Sequence, residues 1–181
     1  RKELLLQIGI VPEIIVSHVE EKITSDIPAE VVMSLAEQKA VDVAKEMPEG
    51  TVILGSDTVV AADGKILGKP KSHEEAYEMI RRLAGRSHQV YTGVCLVKKG
   101  PEGEADTVVS FYDETDVNVS PMTEKEIREY ADSEEPMDKA GSYAVQGFFA
   151  RYIEGLKGSY ANVMGLPVHL VYQKLKELGA V

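Results

Sequence analysis

The chain reads as an α/β domain built on a largely mixed β-sheet. Three observations carry that reading: strand-like runs bounded by turn residues, amphipathic helical stripes interspersed among them, and hairpin turns in place of a regular βαβ array. With 181 residues, 44% hydrophobic and 28% charged, one domain over 1–181 with its own core is the simplest organisation.

The first segment, "RKELLLQIG", looks like a helix in progress, with Leu4, Leu5 and Ile8 on one side and Gly9 as its stop. No initiator methionine opens it, so an N-terminal strand and loop are expected to precede Arg1. "EIIVSHV" (13–19) reads as a strand. A helix then opens after Ser25-Asp26, with Pro28 in its first turn, and runs to about Met47. Its apolar stripe is Val32, Leu35, Ala36 and Val43. Next come the strand "TVILGSDTVVAA" (51–62), an Asp63-Gly64 hairpin turn and the short strand "KILGKP" (65–70). Ser72 and Glu75 form a capping box for a helix through Leu83, ended by Gly85. "HQVYTGVCLVKK" (88–99) and "ADTVVSFYDETDVNV" (105–119) are strands joined by a Gly-Pro turn, and Thr123 and Glu126 cap a helix through Ala131. The stretch 136–167 is dense in Gly, Tyr and polar residues and reads as loop. Pro167 then starts a last helix with the stripe Val168, Val171, Tyr172, Leu175 and Leu178.

Composition narrows the function. A net charge of −10 argues against a nucleic-acid partner, so an anionic ligand would need locally placed cations or a metal. The one cysteine, Cys95, lies in an apolar run, which excludes an internal disulfide and suggests a reducing compartment. No signal peptide or long apolar span is visible, so no membrane association is expected and the cytoplasm is the expected location. There is no G-x-x-x-x-G-K-[ST] and no G-x-G-x-x-G after a strand, no zinc-ligand spacing among His18, His73, His88 and His169, and no G-x-S-x-G elbow.

Two charges sit in apolar surroundings. Asp57 falls inside "ILGSDTVV", where an unpartnered carboxylate costs several kcal/mol, so it either surfaces at a strand end or is paired. Lys39 falls on the apolar stripe of its helix, so either its stem packs and its ammonium reaches solvent, or it aims a cation into a cleft. Glu20, Glu21, Asp57 and Asp138 offer oxygen ligands for a hard divalent ion, while Lys39, Lys69 and Lys139 offer point charges for phosphate oxygens. Together they fit metal-assisted phosphoryl chemistry.

"ILGSDTVV", "GKP", "LAGRSHQVYTGV", "DKAGSYAVQG" and "GSYANVMGLP" stand in an order and spacing that resemble the Maf family of nucleoside triphosphate pyrophosphatases over nearly the whole chain. "RKELL" looks like the tail of that family's N-terminal S-x-S-P-R-R-x-E-L-L motif. The resemblance implies an elongated α/β fold with two lobes around a central cleft, often dimeric, that hydrolyses a nucleoside triphosphate between its α and β phosphates with Mg²⁺, Mn²⁺ or Co²⁺. It implies Asp57 as the proton acceptor that activates water, with Asp57 and Glu21 also candidates to hold the metal. Thr58, Gln146 and Arg1 would bear on substrate choice, and Lys39 and Lys69 would bind phosphates. Glutamine at 146, where 7-methylguanosine-preferring members look acidic, points to dTTP and UTP. Substrates modified on the pyrimidine ring, and a non-enzymatic nucleotide-binding regulator of septum formation, are the alternatives. The strand around Asp57 is expected to end at the cleft, with Gly55-Ser56 opening its backbone. Asn162 is expected to fix a loop, with contact to substrate as the alternative, and Tyr143 and Tyr160 to be packed.

Overall fold

The computed structural model describes residues 1–181. Its elements in chain order are α1 (Lys2–Gln7), α2 (Pro28–Ala44), β1 (Val52–Ala62), β2 (Lys65–Leu67), α3 (His73–Leu83), β3 (Ser87–Lys98), β4 (Thr107–Val119), α4 (Glu124–Ala131), β5 (Ile153–Lys157), α5 (Tyr160–Val163) and α6 (Val168–Glu177). Short 3₁₀ turns fill much of the stretch between α4 and β5.

The five strands form one sheet in the order β2-β1-β3-β4-β5, and every pairing is antiparallel. The expectation of a mixed sheet is therefore corrected. Short connections join β1 to β2 and β3 to β4, whereas α3 lies between β2 and β3 and α4 between β4 and β5, and no helix serves as a parallel crossover within the sheet. Asp63 and Gly64, with φ of 51° and 72°, make the two-residue turn that joins β1 to β2. The capping signals act largely as read. Thr123 and Glu126 form a full box on α4. On α3 the Ser72 hydroxyl accepts from the Glu75 N–H, but the Glu75 carboxylate reaches back to the Lys71 N–H instead of that of Ser72.

α2 packs alone on one sheet face. Ala36, Ala40 and Ala44 meet Ile53, Cys95 and Val97 there. The helix lies so close that a Cβ on Gly55 would overlap the Ala36 carbonyl oxygen and sit 2.9 Å from Ala40 Cβ; one on Gly93 would overlap the Val32 carbonyl. Gly55 thus serves a close helix approach and does not open the strand. On the opposite face lie two apolar clusters. One gathers Ile80, Leu83, Ile127, Tyr130 and Phe149 on Val60, Val90 and Val117; the other gathers Leu4, Leu5, Leu166, Val171 and Leu175 on Val94 and Leu96. Between them runs a buried polar belt of Ser56, Thr92, Thr115 and Asn162.

Three further readings are corrected. Residues 13–19 form no strand: the whole segment 10–27 carries no helix or ladder, and α2 side chains hold it at Ser17, His18 and Lys22. Asp42 accepts from the Ser17 hydroxyl at 2.8 Å and the His18 N–H at 3.2 Å, while Gln38 exchanges bonds with both backbone groups of Lys22. β5 arises in the stretch read as loop, paired to β4 across a bulge at Asn118/Val119. Tyr160 and Tyr172 are exposed rather than packed. Tyr143 is buried as expected, and Cys95 is a buried free thiol. No helix is long and apolar enough to cross a membrane.

Candidate active site

The site forms along the free edge of β1. β2 pairs only with Val60–Ala62, so residues 52–59 have β3 on one side and no strand on the other. Asp57 does not end the strand; it stands in mid-strand, opposite Gly93. Side chains alternate across a strand, so Asp57 points to the α2 face and Thr58, opposite Thr92, to the other. The two residues flank one edge from opposite sides.

On the α2 face, Lys39 answers its own puzzle. Its ammonium lies 2.7 Å from Asp57 Oδ1 and 3.1 Å from Glu21 Oε1, bridging a strand carboxylate to one on the segment before α2. The apolar stripe is where α2 meets the sheet, and Asp57 is the acid that β1 presents below it. The Gln38 clamp on Lys22 sets the backbone beside Glu21. Burial pulls the Lys39 pKa down, the hydrogen bonds and charges of Asp57 and Glu21 push it up, and the balance leaves it above the ordinary lysine value. Glu21 and Lys39 line a cavity of about 680 Å³ together with residues 51–56.

On the other face, a second cavity of about 420 Å³ is lined by Arg1, Thr58, Lys139, Tyr143, Gln146 and Gly165 among others. Arg1 lines both cavities. Its Nε donates to the Gly165 carbonyl at 2.8 Å and its Nη2 to Thr58 Oγ1 at 3.1 Å. An arginine is thereby fixed over the strand edge between the acidic cluster and the second cavity. Arg1, Thr58 and Gln146 all line this cavity. Lys69 is exposed and lines neither cavity, although its charge acts on Asp138. Asp138 is itself paired with Lys139, and Glu20 is exposed without joining the cluster.

A free strand edge with a Lys-bridged carboxylate pair on one face and an Arg/Thr/Gln pocket on the other suits a ligand with an anionic end and a hydrogen-bonding end. Residues 1–178 match the family model described as Maf-like protein. The chain belongs to the Maf-like protein family. Similar proteins include the dTTP/UTP pyrophosphatase of Lachnoclostridium phytofermentans, 45% identical over 99% of this chain and 90% of its own length. That of Agathobacter rectalis is 46% identical over 99% and 93%, and that of Carboxydothermus hydrogenoformans 46% over 99% and 94%.

Two supports in this Maf-like chain escaped the sequence reading. Glu135 accepts from the N–H groups of Phe148 and Phe149 at 2.7 and 3.1 Å and from the Tyr130 hydroxyl at 2.7 Å, anchoring the loop that carries Gln146. Thr92 is fully buried beneath Thr58; a hydroxyl inside the apolar run "VYTGVCLV" was the available signal. Asn162 fixes the loop as expected, donating to the Val90 carbonyl and Thr115 Oγ1.

Proposed function

We propose that the β1 edge binds a pyrimidine nucleoside triphosphate, with its base at Thr58 and Gln146 and its phosphates drawn across Arg1 toward Lys39. The activity is that of a dTTP/UTP pyrophosphatase. Water attacks the α-phosphorus, the bond to the bridging oxygen of the β-phosphate breaks, and monophosphate and pyrophosphate leave. Asp57 accepts the proton of the attacking water. Lys39 and Arg1 offset the charge that builds on the leaving pyrophosphate, with Lys69 at the rim. Gln146 supplies one amide donor and one acceptor for the O4 and N3–H edge of uracil or thymine.

The donor set fits a hard divalent ion. Lys39 takes Asp57 Oδ1 and Glu21 Oε1, which leaves one further oxygen on each carboxylate. Two carboxylates plus substrate phosphates are the usual protein share of a Mg²⁺ site. Glu21 and Asp57 would hold Mg²⁺, Mn²⁺ or Co²⁺, which supplies charge neutralisation at the phosphates when bound. A cytoplasmic homodimer completes the proposal.

The Lys39 bridge between Asp57 and Glu21 is the observation that carries this reading, because it concentrates charge at one edge of a sheet whose core is apolar. The test is pyrophosphate release over a panel of nucleoside triphosphates, with Mg²⁺, Mn²⁺ or Co²⁺ supplied in turn. Release from dTTP and UTP is expected, and none from any triphosphate would favour a binding protein instead.

A further inference from the structure

The last strand, β5, pairs only with Asp116–Val119 of β4, so residues 107–115 have β3 on one side and no strand on the other. Near the upper end that open side is closed locally: Asp113 Oδ1 accepts from the Glu114 N–H, the Ser159 N–H donates to Thr115 Oγ1, and Gly158 lies against the Glu114 carbonyl oxygen. From Thr107 to Tyr112 nothing closes it, and the backbone there makes no hydrogen bond beyond β3. Because Glu114 turns its N–H to the outer side and backbone direction alternates along a strand, the N–H and C=O groups of Val108, Ser110 and Tyr112 point outward too. The run Thr107–Tyr112, "TVVSFY", holds no charge, proline or glycine, and Val108 and Tyr112 are 45% and 43% exposed. Soluble proteins protect a sheet edge by shortness, charge or cover. β2 is three residues long and opens on Lys65, β5 carries Glu154 and Lys157, and the free edge of β1 shares its cavity with residues 10–17. The Thr107–Tyr112 edge has none of these devices.

We infer that this edge pairs with the same edge of a second copy of the chain, antiparallel about a twofold axis at Ser110, so that one continuous sheet runs through both subunits. The inference rests on the homodimer reading above and names its surface. An antiparallel edge is complementary to itself, so pairing it with a second copy consumes both edges and closes the assembly as a dimer. With the axis at Ser110, Val108 stands opposite Tyr112 of the second copy and Val109 opposite Phe111, a β-branched side chain against an aromatic one on each face. The outward groups of Val108, Ser110 and Tyr112 then meet their counterparts in about six hydrogen bonds. Thr107 falls opposite Asp113, and Asp106 opposite Glu114, with Lys99 already holding Asp106 at 2.9 Å. Moving the axis by one residue to Phe111 would set Val109 against Asp113 and Val108 against Glu114, so the placement of charge selects the Ser110 register. Glu37 accepts from the Ser110 hydroxyl at 3.0 Å, which brings the two Glu37 carboxylates toward each other across the axis and opposes the pairing.

The test is sedimentation equilibrium of the wild type and of edge variants, joined to disulfide mapping. Ser110→Pro removes an outward N–H and spares the ladder to β3, as proline does on natural edges. It should raise the dimer dissociation constant at least about tenfold, the worth of one hydrogen bond or more. Val108→Lys should do the same without any constraint on the backbone, and Glu37→Gln should lower the constant. For the register, Val108→Cys and Tyr112→Cys chains are mixed and oxidised; facing residues about 5.5 Å apart lie within disulfide reach, and Cys95 is fully buried. A cross-linked dimer is expected from the mixture and from neither variant alone. Cross-linking of Val108→Cys to itself, or no cross-link in the mixture, overturns the inference. So does a dimer whose dissociation constant ignores both Ser110→Pro and Val108→Lys; in that case the homodimer reading survives with a different surface. A wild type that stays monomeric at every concentration overturns that reading and the inference with it.

Discussion

Lys39 Nζ stands 2.7 Å from Asp57 Oδ1, from a helix that crosses directly over the strand carrying the acid. The pair is mostly shielded, with side-chain exposures of 26% and 18%, and Glu21 joins it from the outer side at 3.1 Å. This arrangement sets what each of the following variants should do.

Asp57→Asn should leave the fold intact, because Lys39 keeps Glu21 as a partner and the amide still accepts from the ammonium. Activity should fall by about 10²–10⁴-fold in kcat, the usual contribution of a positioned proton acceptor. Pyrophosphate release with dTTP or UTP measures it; a wild-type rate in this variant would remove Asp57 from the chemistry.

Lys39→Met keeps the stem that packs on the α2 face and removes the charge. It should cost on the order of 10² in kcat by withdrawing one preorganised cation, and leave Asp57 and Glu21 mutually repelling. Stability should change by only about 1 kcal/mol, since the group is a quarter exposed in a partly solvated pair. The elevated Lys39 pKa means that the pair's contribution is complete below the ordinary lysine value of 10.5 and is lost only as pH rises beyond it, so wild type and variant should differ equally at pH 6 and pH 8.

Gln146→Glu replaces a donor-acceptor amide with an acceptor-only carboxylate. The O4 of uracil loses its donor, and kcat/KM for UTP should drop at least about tenfold, the worth of one hydrogen bond. Steady-state kinetics with UTP checks this, with unchanged values counting against a base contact at 146.

Gly55→Ala tests the seat of α2. The added Cβ meets the Ala36 carbonyl and Ala40 Cβ, so the helix must lift. A loss of about 1–3 kcal/mol in urea unfolding is expected, with activity falling further because Lys39 rides on the displaced helix.

His88 should make the protein acid-sensitive. It is fully buried, its Nε2 contacts the Tyr143 hydroxyl at 2.7 Å, and its Nδ1 has no partner. Burial lowers its pKa from 6.5 to about 4, against a small opposing pull from Asp116. Between those values the unfolded chain takes up a proton that the native state refuses, so stability falls as pH drops from 6.5 toward 4, by up to about 3 kcal/mol from this residue. Urea midpoints measured across that range should slope more steeply for the wild type than for His88→Gln. Parallel slopes would assign the acid response to other groups.

The sequence by itself determined what depends on near neighbours: the three long strands, the Asp63-Gly64 turn, the capped helices α3 and α4, and a motif set that marks the Maf-like family. These follow from periodicity, capping and turn chemistry acting within a few residues. Only the tertiary structure decided whether a strand-like run finds a partner. Residues 13–19 have strand composition, but Ser17 and His18 bond to Asp42 of α2, while 153–157, poor in β-branched residues, become β5 because β4 offers them an edge. The same holds at the site. That Asp57 is paired and not surfaced, that Gly55 admits a helix and opens nothing, and that Arg1 is seated on Thr58 all depend on contacts between groups 15 to 57 positions apart. Such contacts exist only when the whole sheet and its covering helices are assembled, so no local pattern can encode them.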